Sequence, residues 1–253
     1  MMIAVTAPAS HCRLRRSALA SIGVAAAGLA VFAFAIGERL ALSTLYVPKT
    51  LAVFGLGMAL LLAHLPAHRP LQRFGSANQA TLARAVLVAL AAGLVGEGHA
   101  PLGAFAAAVG LLSLALDGVD GWLARRNGLA SPFGARFDME TDAALVMVLA
   151  TLTWQLHKAG AWVLLAGLLR YAFVAAGWAV PWLRRRLAPS RRRQTVCVVQ
   201  ILALAAALVP AVAPPWSAIV AAAGLLALCY SFAADTRSLY RHARPPLAHE
   251  RPI

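Results

Sequence analysis

The sequence predicts an all-α protein that crosses a membrane several times. Of its 253 residues, 61% are hydrophobic and only 13% are charged, whereas an average soluble domain is about half apolar and about a quarter charged. The mean hydropathy is +0.73. The apolar residues are gathered in eight runs, each long enough to cross a bilayer as a helix that satisfies its own backbone hydrogen bonds.

The eight runs set the order of the predicted helices. Charged residues, glycine or proline separate each run from the next. The runs lie at about residues 17–37, 50–67, 79–96, 102–124, 136–156, 161–183, 196–213 and 216–234. Residues 13–35 also have the basic start and apolar centre of a signal peptide. Because the apolar run continues to Gly37, we expect the first helix to be retained.

The basic residues predict the orientation of these helices. If every run crosses the membrane, all but four of the 23 Lys and Arg fall on the side of the N-terminus. The four exceptions are Arg39, Lys49, Lys158 and Arg170. Cytoplasmic segments carry the excess of Lys and Arg in membrane proteins. We therefore expect both termini to face the cytoplasm, in the inner or plasma membrane if the protein is bacterial.

Two other classes of function are not indicated. The net charge of +14 does not predict a nucleic-acid partner, because the basic residues alternate with apolar runs instead of lining a soluble face. The three cysteines form no CxxC pair, and Cys197 and Cys229 lie in apolar runs. Neither a zinc site nor a disulfide framework is expected from this pattern.

The acidic residues are few and concentrated. Five of the nine Asp and Glu lie between residues 117 and 142. An Asp near the centre of a membrane helix costs roughly 2.5–3.5 kcal/mol on insertion scales, which makes intramembrane acids functional candidates. Asp117 and Asp120 are three residues apart and Asp138 and Asp142 are four apart, so each pair shares a helix face.

The segment between the two pairs contains Gly128 and Pro132 and can turn the chain back on itself. Two antiparallel helices would then bring the four carboxylates together at the cytoplasmic end of the bundle. Glu140 lies about 200° around the helix from Asp138 and is expected to face elsewhere.

Four carboxylates in one place require cations, because two like charges about 4 Å apart repel by about 4 kcal/mol at an effective dielectric constant of 20. Arg125, Arg126 and Arg136 could neutralise some of them, so a salt-bridge network or an ion pathway is the alternative. We favour a metal site, because arginines give no reason for the face-matched spacing. Carboxylate oxygens favour Mg²⁺, Mn²⁺ or Ca²⁺ over zinc.

These acids belong to a longer pattern with a family resemblance. Asp117-Gly-Val-Asp120-Gly121-Trp-Leu-Ala124-Arg125, followed by Gly134, Asp138 and Asp142, resembles the signature of the CDP-alcohol phosphotransferase (CDP-alcohol phosphatidyltransferase) family. Eight fixed positions agree at the right spacings. Upstream, Asn78, Thr81 and Arg84 are similar to the Asn-x-x-Thr-x-x-Arg start of the family's first core helix, which is a shorter match.

The resemblance implies a division of the chain. Residues 71–235 would form the catalytic core of six transmembrane helices. Residues 1–70 would be an N-terminal extension with two additional transmembrane helices, and 236–253 a basic cytoplasmic tail. The resemblance also implies a homodimer.

The resemblance implies roles for single residues as well. Asp117, Asp120 and Asp138 would bind two Mg²⁺ or Mn²⁺ ions, and Asp142 would be the general base and a further metal contact. The CDP group would be bound by Asn78, Thr81, Gly121, Ala124, Arg125, Ser131 and Gly134. For the acceptor we expect Arg170, since a buried Arg in a membrane needs a partner. The basic residues Arg191, Arg192 and Arg193 are candidates because they attract anions.

The implied reaction moves a phosphatidyl group from a CDP-alcohol, with CDP-diacylglycerol as the expected donor, to an alcohol and releases CMP in phospholipid biosynthesis. Glycerol 3-phosphate, serine, inositol or its phosphate, choline and another phospholipid all remain open as acceptors. The alternative is a cation-coupled transporter, which should show inverted halves or broken helices; neither is evident. A family member that binds nucleotide lipid without turnover is disfavoured, because all four Asp are present.

Overall fold

The computed structural model describes residues 7–65, 74–98, 101–127, 132–185 and 190–243. Within them the chain forms eight α-helices and no strand. The helices are α1 (Ala7–Arg39), α2 (Tyr46–His64), α3 (Ser76–Gly93), α4 (Leu102–Asn127), α5 (Pro132–Gln155), α6 (Leu165–Ala179), α7 (Arg191–Leu208) and α8 (Trp216–Ala243). Short 3-10 helices, Ala161–Leu164 and Pro181–Arg184, flank α6. The predicted all-α fold is confirmed.

Each predicted run coincides with one helix, and the differences lie at the ends. Helix α1 begins at Ala7, before the apolar run starts, and α8 continues to Ala243, past its end. Both helices continue through charged residues. A helix can extend beyond the hydrocarbon of the membrane, where charged side chains are tolerated. Helix α5 begins with Pro132, a favourable first residue since its missing N–H would have no partner there.

Four segments are long and apolar enough to cross a membrane by length and composition. They are Leu14–Arg39, Tyr46–Ala63, Ala161–Ala179 and Trp216–Ala243, and Leu102–Gly118 is a shorter apolar segment. Helix α3 does not meet this criterion because it carries Asn78, Thr81 and Arg84, all of which are buried inside the protein. The chain is therefore a polytopic membrane protein.

The helices form an inner group and an outer group. Helices α3, α4, α5 and α7 pack against one another in a ring, α1 and α2 pack on α3, α6 packs on α5, and α8 packs on α7. Two glycines allow close approach. A Cβ on Gly93 would lie 2.1 Å from Thr50 Oγ1 of α2, and one on Gly103 would lie 2.5 Å from the Leu208 carbonyl oxygen of α7. Small residues at such contacts are typical of membrane helix packing.

The two ends of the bundle are built differently. At one end the rings of Phe74, Phe133 and Phe137 form a buried cluster with centroids 6.3–6.4 Å apart, and we call this the aromatic end. At the other, which we call the Glu97 end, Glu97 lies in the turn between α3 and α4 and binds Lys49 Nζ at 2.7 Å. The starts of α3 and α5 lie at the aromatic end, as does the end of α4.

Candidate active site

Three carboxylates meet around one guanidinium near the aromatic end. Arg84 of α3 donates from Nη1 to Asp117 Oδ1 of α4 at 3.0 Å. The same nitrogen donates to Asp138, and Nη2 donates to Asp142, both on α5. One oxygen from each of the three carboxylates lies within 4.8 Å of the others. The structure thus brings together three of the four Asp that the spacing predicts to converge.

The exposure of these side chains shows how the cluster is oriented. The Arg84 side chain has no exposed surface, whereas those of Asp117, Asp138 and Asp142 are 36%, 40% and 23% exposed. Arg84 therefore lies beneath the carboxylates, which form the accessible surface of the site. A ligand reaches the carboxylates without having to displace protein atoms above them.

The charges of the cluster are not balanced within the described residues. Three carboxylates share one guanidinium, so two negative charges remain when all groups are ionised. A divalent cation fits this surplus, and carboxylate oxygens are the ligands that Mg²⁺ and Mn²⁺ prefer. The Asp120 side chain lies outside the described residues, although its backbone belongs to α4 three residues after Asp117.

The pairing of Arg84 with the carboxylates is not evident from the sequence pattern alone. The neutralising arginines considered there are Arg125 and Arg126, whose side chains lie outside the described residues, and Arg136, which is exposed. The signal for Arg84 is its place in an apolar run, since a buried Arg in a membrane requires a partner. That argument applies to Arg84 as well as to Arg170.

The residues predicted to bind CDP are described only in part. Asn78 and Thr81 are buried on α3, where Asn78 Nδ2 donates to the Phe74 carbonyl and Thr81 Oγ1 donates to that of Ala77 at 3.2 Å. Gly134 lies on α5, four residues before Asp138. Ser131 lies outside the described residues, as do the side-chain positions of Gly121, Ala124 and Arg125. Their roles stay predictions.

Three of the four arginines predicted to bind the acceptor contact acidic residues of the protein. Arg170 Nη2 donates to Glu140 Oε1 at 2.5 Å, so Glu140 faces away from Arg84, as its position on the helix predicts. Arg192 donates to Asp235 of α8, and Arg193 Nη1 lies 3.5 Å from the same carboxylate. Arg191 is exposed at the start of α7. Acceptor binding by these residues stays a prediction.

Helix α7 contributes one contact that the sequence pattern does not reveal. Cys197 Sγ lies 3.8 Å from Asp142 Oδ2, within reach of a weak sulfur hydrogen bond. From the sequence this residue is only a thiol in an apolar run. The contact depends on the packing of α7 against α5, which spacing within one helix cannot reveal.

Comparison with known proteins places these residues in one family. The sequence model of the CDP-alcohol phosphatidyltransferase family matches residues 74–230, which is more than half of the chain and includes every helix of the inner ring. No curated protein and no solved structure matches the chain. The matched segment contains Arg84 and all four Asp of the signature. The chain belongs to the CDP-alcohol phosphatidyltransferase family.

Proposed function

We propose that the protein transfers a phosphatidyl group from CDP-diacylglycerol to an alcohol acceptor and releases CMP, in phospholipid biosynthesis. Family membership gives the reaction class, the transfer of a substituted phosphate group from a CDP-alcohol. The observation that carries the proposal is the convergence of Asp117, Asp138 and Asp142 on an accessible surface above Arg84.

Divalent cations are part of this proposal. Asp117, Asp138 and Asp142 would hold them together with Asp120, and the all-oxygen donor set favours Mg²⁺ or Mn²⁺. When bound, such ions would neutralise the donor's pyrophosphate and the charge that develops on the departing CMP. The two surplus negative charges of the cluster support this assignment.

Asp142 is the proposed general base. Its carboxylate would accept the proton of the acceptor hydroxyl while the hydroxyl oxygen forms a bond to the phosphorus of the phosphatidyl group. The bond from that phosphorus to the CMP oxygen breaks, and CMP leaves with the bonding electrons. Arg84 holds one carboxylate oxygen of Asp142, and the Cys197 thiol approaches the other, so the side chain is held in a single orientation.

Binding of the two substrates follows the family resemblance. We propose that Asn78, Thr81 and Gly134 contact the CDP group, with Gly121, Ala124, Arg125 and Ser131. The acceptor would bind at Arg170 or at Arg191, Arg192 and Arg193. Of these, Arg191 is the strongest candidate, because it is exposed, whereas Arg192 and Arg193 contact Asp235 and Arg170 contacts Glu140.

The distribution of basic residues supports a cytoplasmic site and cytoplasmic termini, and we propose that the enzyme is a homodimer. The transporter alternative receives no support, because transporters typically use broken helices at the substrate site. Within the described residues, α3, α4, α5 and α7 are continuous between the bounds given above.

The test is CMP release by the purified protein from CDP-diacylglycerol with Mg²⁺ or Mn²⁺, across the panel of acceptors. We expect release with one acceptor, its loss on chelation, and its loss in Asp142→Asn. Glu97→Gln, which removes a buried carboxylate at the opposite end, is the matched control and should retain activity per folded molecule. Folded protein that releases no CMP with any acceptor would exclude this donor and lead to other CDP-alcohols.

A further inference from the structure

A groove on the outer surface of the bundle is separate from the carboxylate cluster. Its floor is formed where α3 packs against α5, α2 forms one wall, and Tyr171 of α6 lines the other side. The volume is about 400 Å³, within the range of small-molecule sites. Three of the nine residues of the floor are the alanines Ala85, Ala89 and Ala144, whose small side chains leave space in the groove.

The groove has one polar end and one apolar end. Arg136 and Glu140 lie toward the aromatic end, whereas Val53, Phe54 and Ala144 line the deeper part. Glu140 is already paired with Arg170, and the Thr141 hydroxyl donates to the Phe137 carbonyl at 2.9 Å. Arg136 is exposed and has no ion-pair partner among the residues that the structure describes. The polar end therefore offers one cation.

The length of the groove matches one leaflet of a bilayer. Its residues on α5 run from Phe133 to Ala144, and eleven residues of helix rise by about 16 Å. The hydrocarbon core of a bilayer is about 30 Å thick, so the groove is about half as long as this core is thick. A spanning helix of a second copy would need the whole thickness, whereas an acyl chain needs half.

The groove does not open directly onto the carboxylates. Arg84 and Asp142 are the sequence neighbours of the groove residues Ala85 and Thr141, but Arg84 extends away from the groove toward Asp117 of α4. The buried rings of Phe74, Phe133 and Phe137 close the seam at the aromatic end. A chain lying in the groove is therefore separated from the reacting groups.

We propose that this groove binds an acyl chain of an anionic diacyl phospholipid from the surrounding bilayer, with the lipid phosphate at Arg136. Helix α2 forms one wall and ends at His64, before the family match begins at residue 74. The N-terminal extension thus supplies one wall of the lipid site, and the family-matched part of the chain supplies its floor and Arg136. The site does not depend on the proposed reaction, because the bound lipid is not a substrate.

Two glycines of α2 provide a matched pair of variants. Gly57 lines the groove and Gly55 does not. A Cβ added at either position would meet nothing within 4 Å, so both positions should accept leucine. Gly57→Leu would fill the groove, and Gly55→Leu would place the same side chain on another part of the helix surface.

The experiment uses the full chain in detergent, with a phosphatidylglycerol analogue that carries a diazirine on one acyl chain, and maps the labelled peptides by mass spectrometry. We expect labels on residues 53–61 of α2 and 133–144 of α5. Labelling should fall at least five-fold in Gly57→Leu and be unchanged in Gly55→Leu. The equivalent phosphatidylcholine probe should label several-fold less than phosphatidylglycerol, and Arg136→Gln should abolish that difference.

Several outcomes would overturn the proposal. Equal labelling of Gly57→Leu and Gly55→Leu would contradict it. An absence of label from α2 in the unaltered protein would also contradict it, and this result needs no variant. Competition is measured in Asp142→Asn without an acceptor, so that the donor is not consumed during the assay. If CDP-diacylglycerol displaced the probe at concentrations where phosphatidylglycerol did not, the groove would belong to the donor. Failure of the proposed reaction would leave these labelling results unchanged.

Discussion

Carboxylates lie at both ends of the bundle, but Glu97 is buried, whereas Asp117, Asp138 and Asp142 are partly exposed, and among the described residues the cations balance only the charge of Glu97. Glu97 has one cation, Lys49 Nζ at 2.7 Å, and accepts two more hydrogen bonds from Ser43, from the backbone N at 2.9 Å and from Oγ at 2.6 Å. At the aromatic end, the Arg84 guanidinium forms ion pairs with Asp117, Asp138 and Asp142. Among the residues that the structure describes, the first arrangement is balanced, whereas the second has a surplus of two negative charges when all its groups are ionised.

The difference separates a structural site from a functional one. A buried carboxylate whose partners are all supplied by the protein holds helices in place, and here the Glu97 network joins the α1–α2 turn to the α3–α4 turn. Gln155 extends the same network, because its Nε2 donates to the Glu97 carbonyl at 2.8 Å. Surplus negative charge has no such structural use, since like charges in close contact repel each other.

The largest expected effect is the loss of turnover at the unbalanced end. Asp142→Asn removes the proposed base but preserves the shape of the side chain, so we expect kcat to fall by roughly 100- to 10,000-fold. Glu97→Gln should change kcat by less than two-fold. The measurement is the rate of CMP release per folded molecule, and comparable losses in the two variants would contradict the assignment of one end to catalysis.

The next effect concerns Arg84, which lies beneath the carboxylates. Removing one partner of a buried ion pair typically costs about 3–5 kcal/mol, and Arg84→Gln leaves three carboxylates without their guanidinium. We expect the melting temperature of this variant to fall strongly. Mg²⁺ should raise the melting temperature of the variant by more degrees than that of the unaltered protein, because a cation then replaces the missing charge.

The control for this prediction is Lys49→Gln, which removes the cation of the balanced end. The difference in melting temperature between Lys49→Gln and the unaltered protein should be the same with and without Mg²⁺. A single carboxylate that accepts two hydrogen bonds from Ser43 is a poor site for a divalent cation. An equal response to Mg²⁺ in Arg84→Gln and Lys49→Gln would show that the ion acts elsewhere.

A smaller effect is expected from Glu97 itself, and it depends on pH. Burial raises the pKa of Glu97, but the bonds from Lys49 and Ser43 outweigh it and lower this pKa from 4.5 to about 2. The ionised carboxylate therefore stabilises the folded protein above pH 4.5, and this contribution is lost as the pH falls toward 2. Glu97→Gln should cost about 1.5–3 kcal/mol of unfolding free energy at pH 7.

The pH dependence can be measured by denaturant unfolding in detergent. The difference between the unaltered protein and Glu97→Gln should be constant from pH 8 to about pH 5.5 and should shrink below pH 4.5. A difference that stayed constant down to pH 3 would mean that Glu97 is not held in its ionised form by these partners.

The sequence predicts some parts of this comparison and not others. Apolar runs predict the eight helices of the described residues, and the spacing of Asp138 and Asp142 predicts that they share a helix face, because both features depend on one helix at a time. The pairing of Arg84 with those acids requires α3 to lie beside α4 and α5. Helical periodicity does not determine which helices are neighbours.

The same limit applies to the other contacts that sequence reasoning missed. Arg170 lies 30 residues from Glu140 in the chain. Both are charged residues in apolar runs, which indicates that each needs a partner but does not identify that partner. The groove between α2 and α6 is formed by four helices, so no single run of residues predicts it. Charges in an apolar run indicate that a partner exists, and only the packing identifies it.

The smallest expected effect tests how tightly the proposed base must be held. Cys197 Sγ lies 3.8 Å from Asp142 Oδ2, a weaker contact than the bond from Arg84. We expect Cys197→Ala to lower kcat by less than ten-fold and Cys197→Ser to retain more activity, because a hydroxyl can still donate to the carboxylate. KM should stay the same in both, since the thiol positions the base and does not contact substrate. If both variants lost as much activity as Asp142→Asn, α7 would contribute to the reaction itself, and the site would extend beyond the carboxylates of α4 and α5.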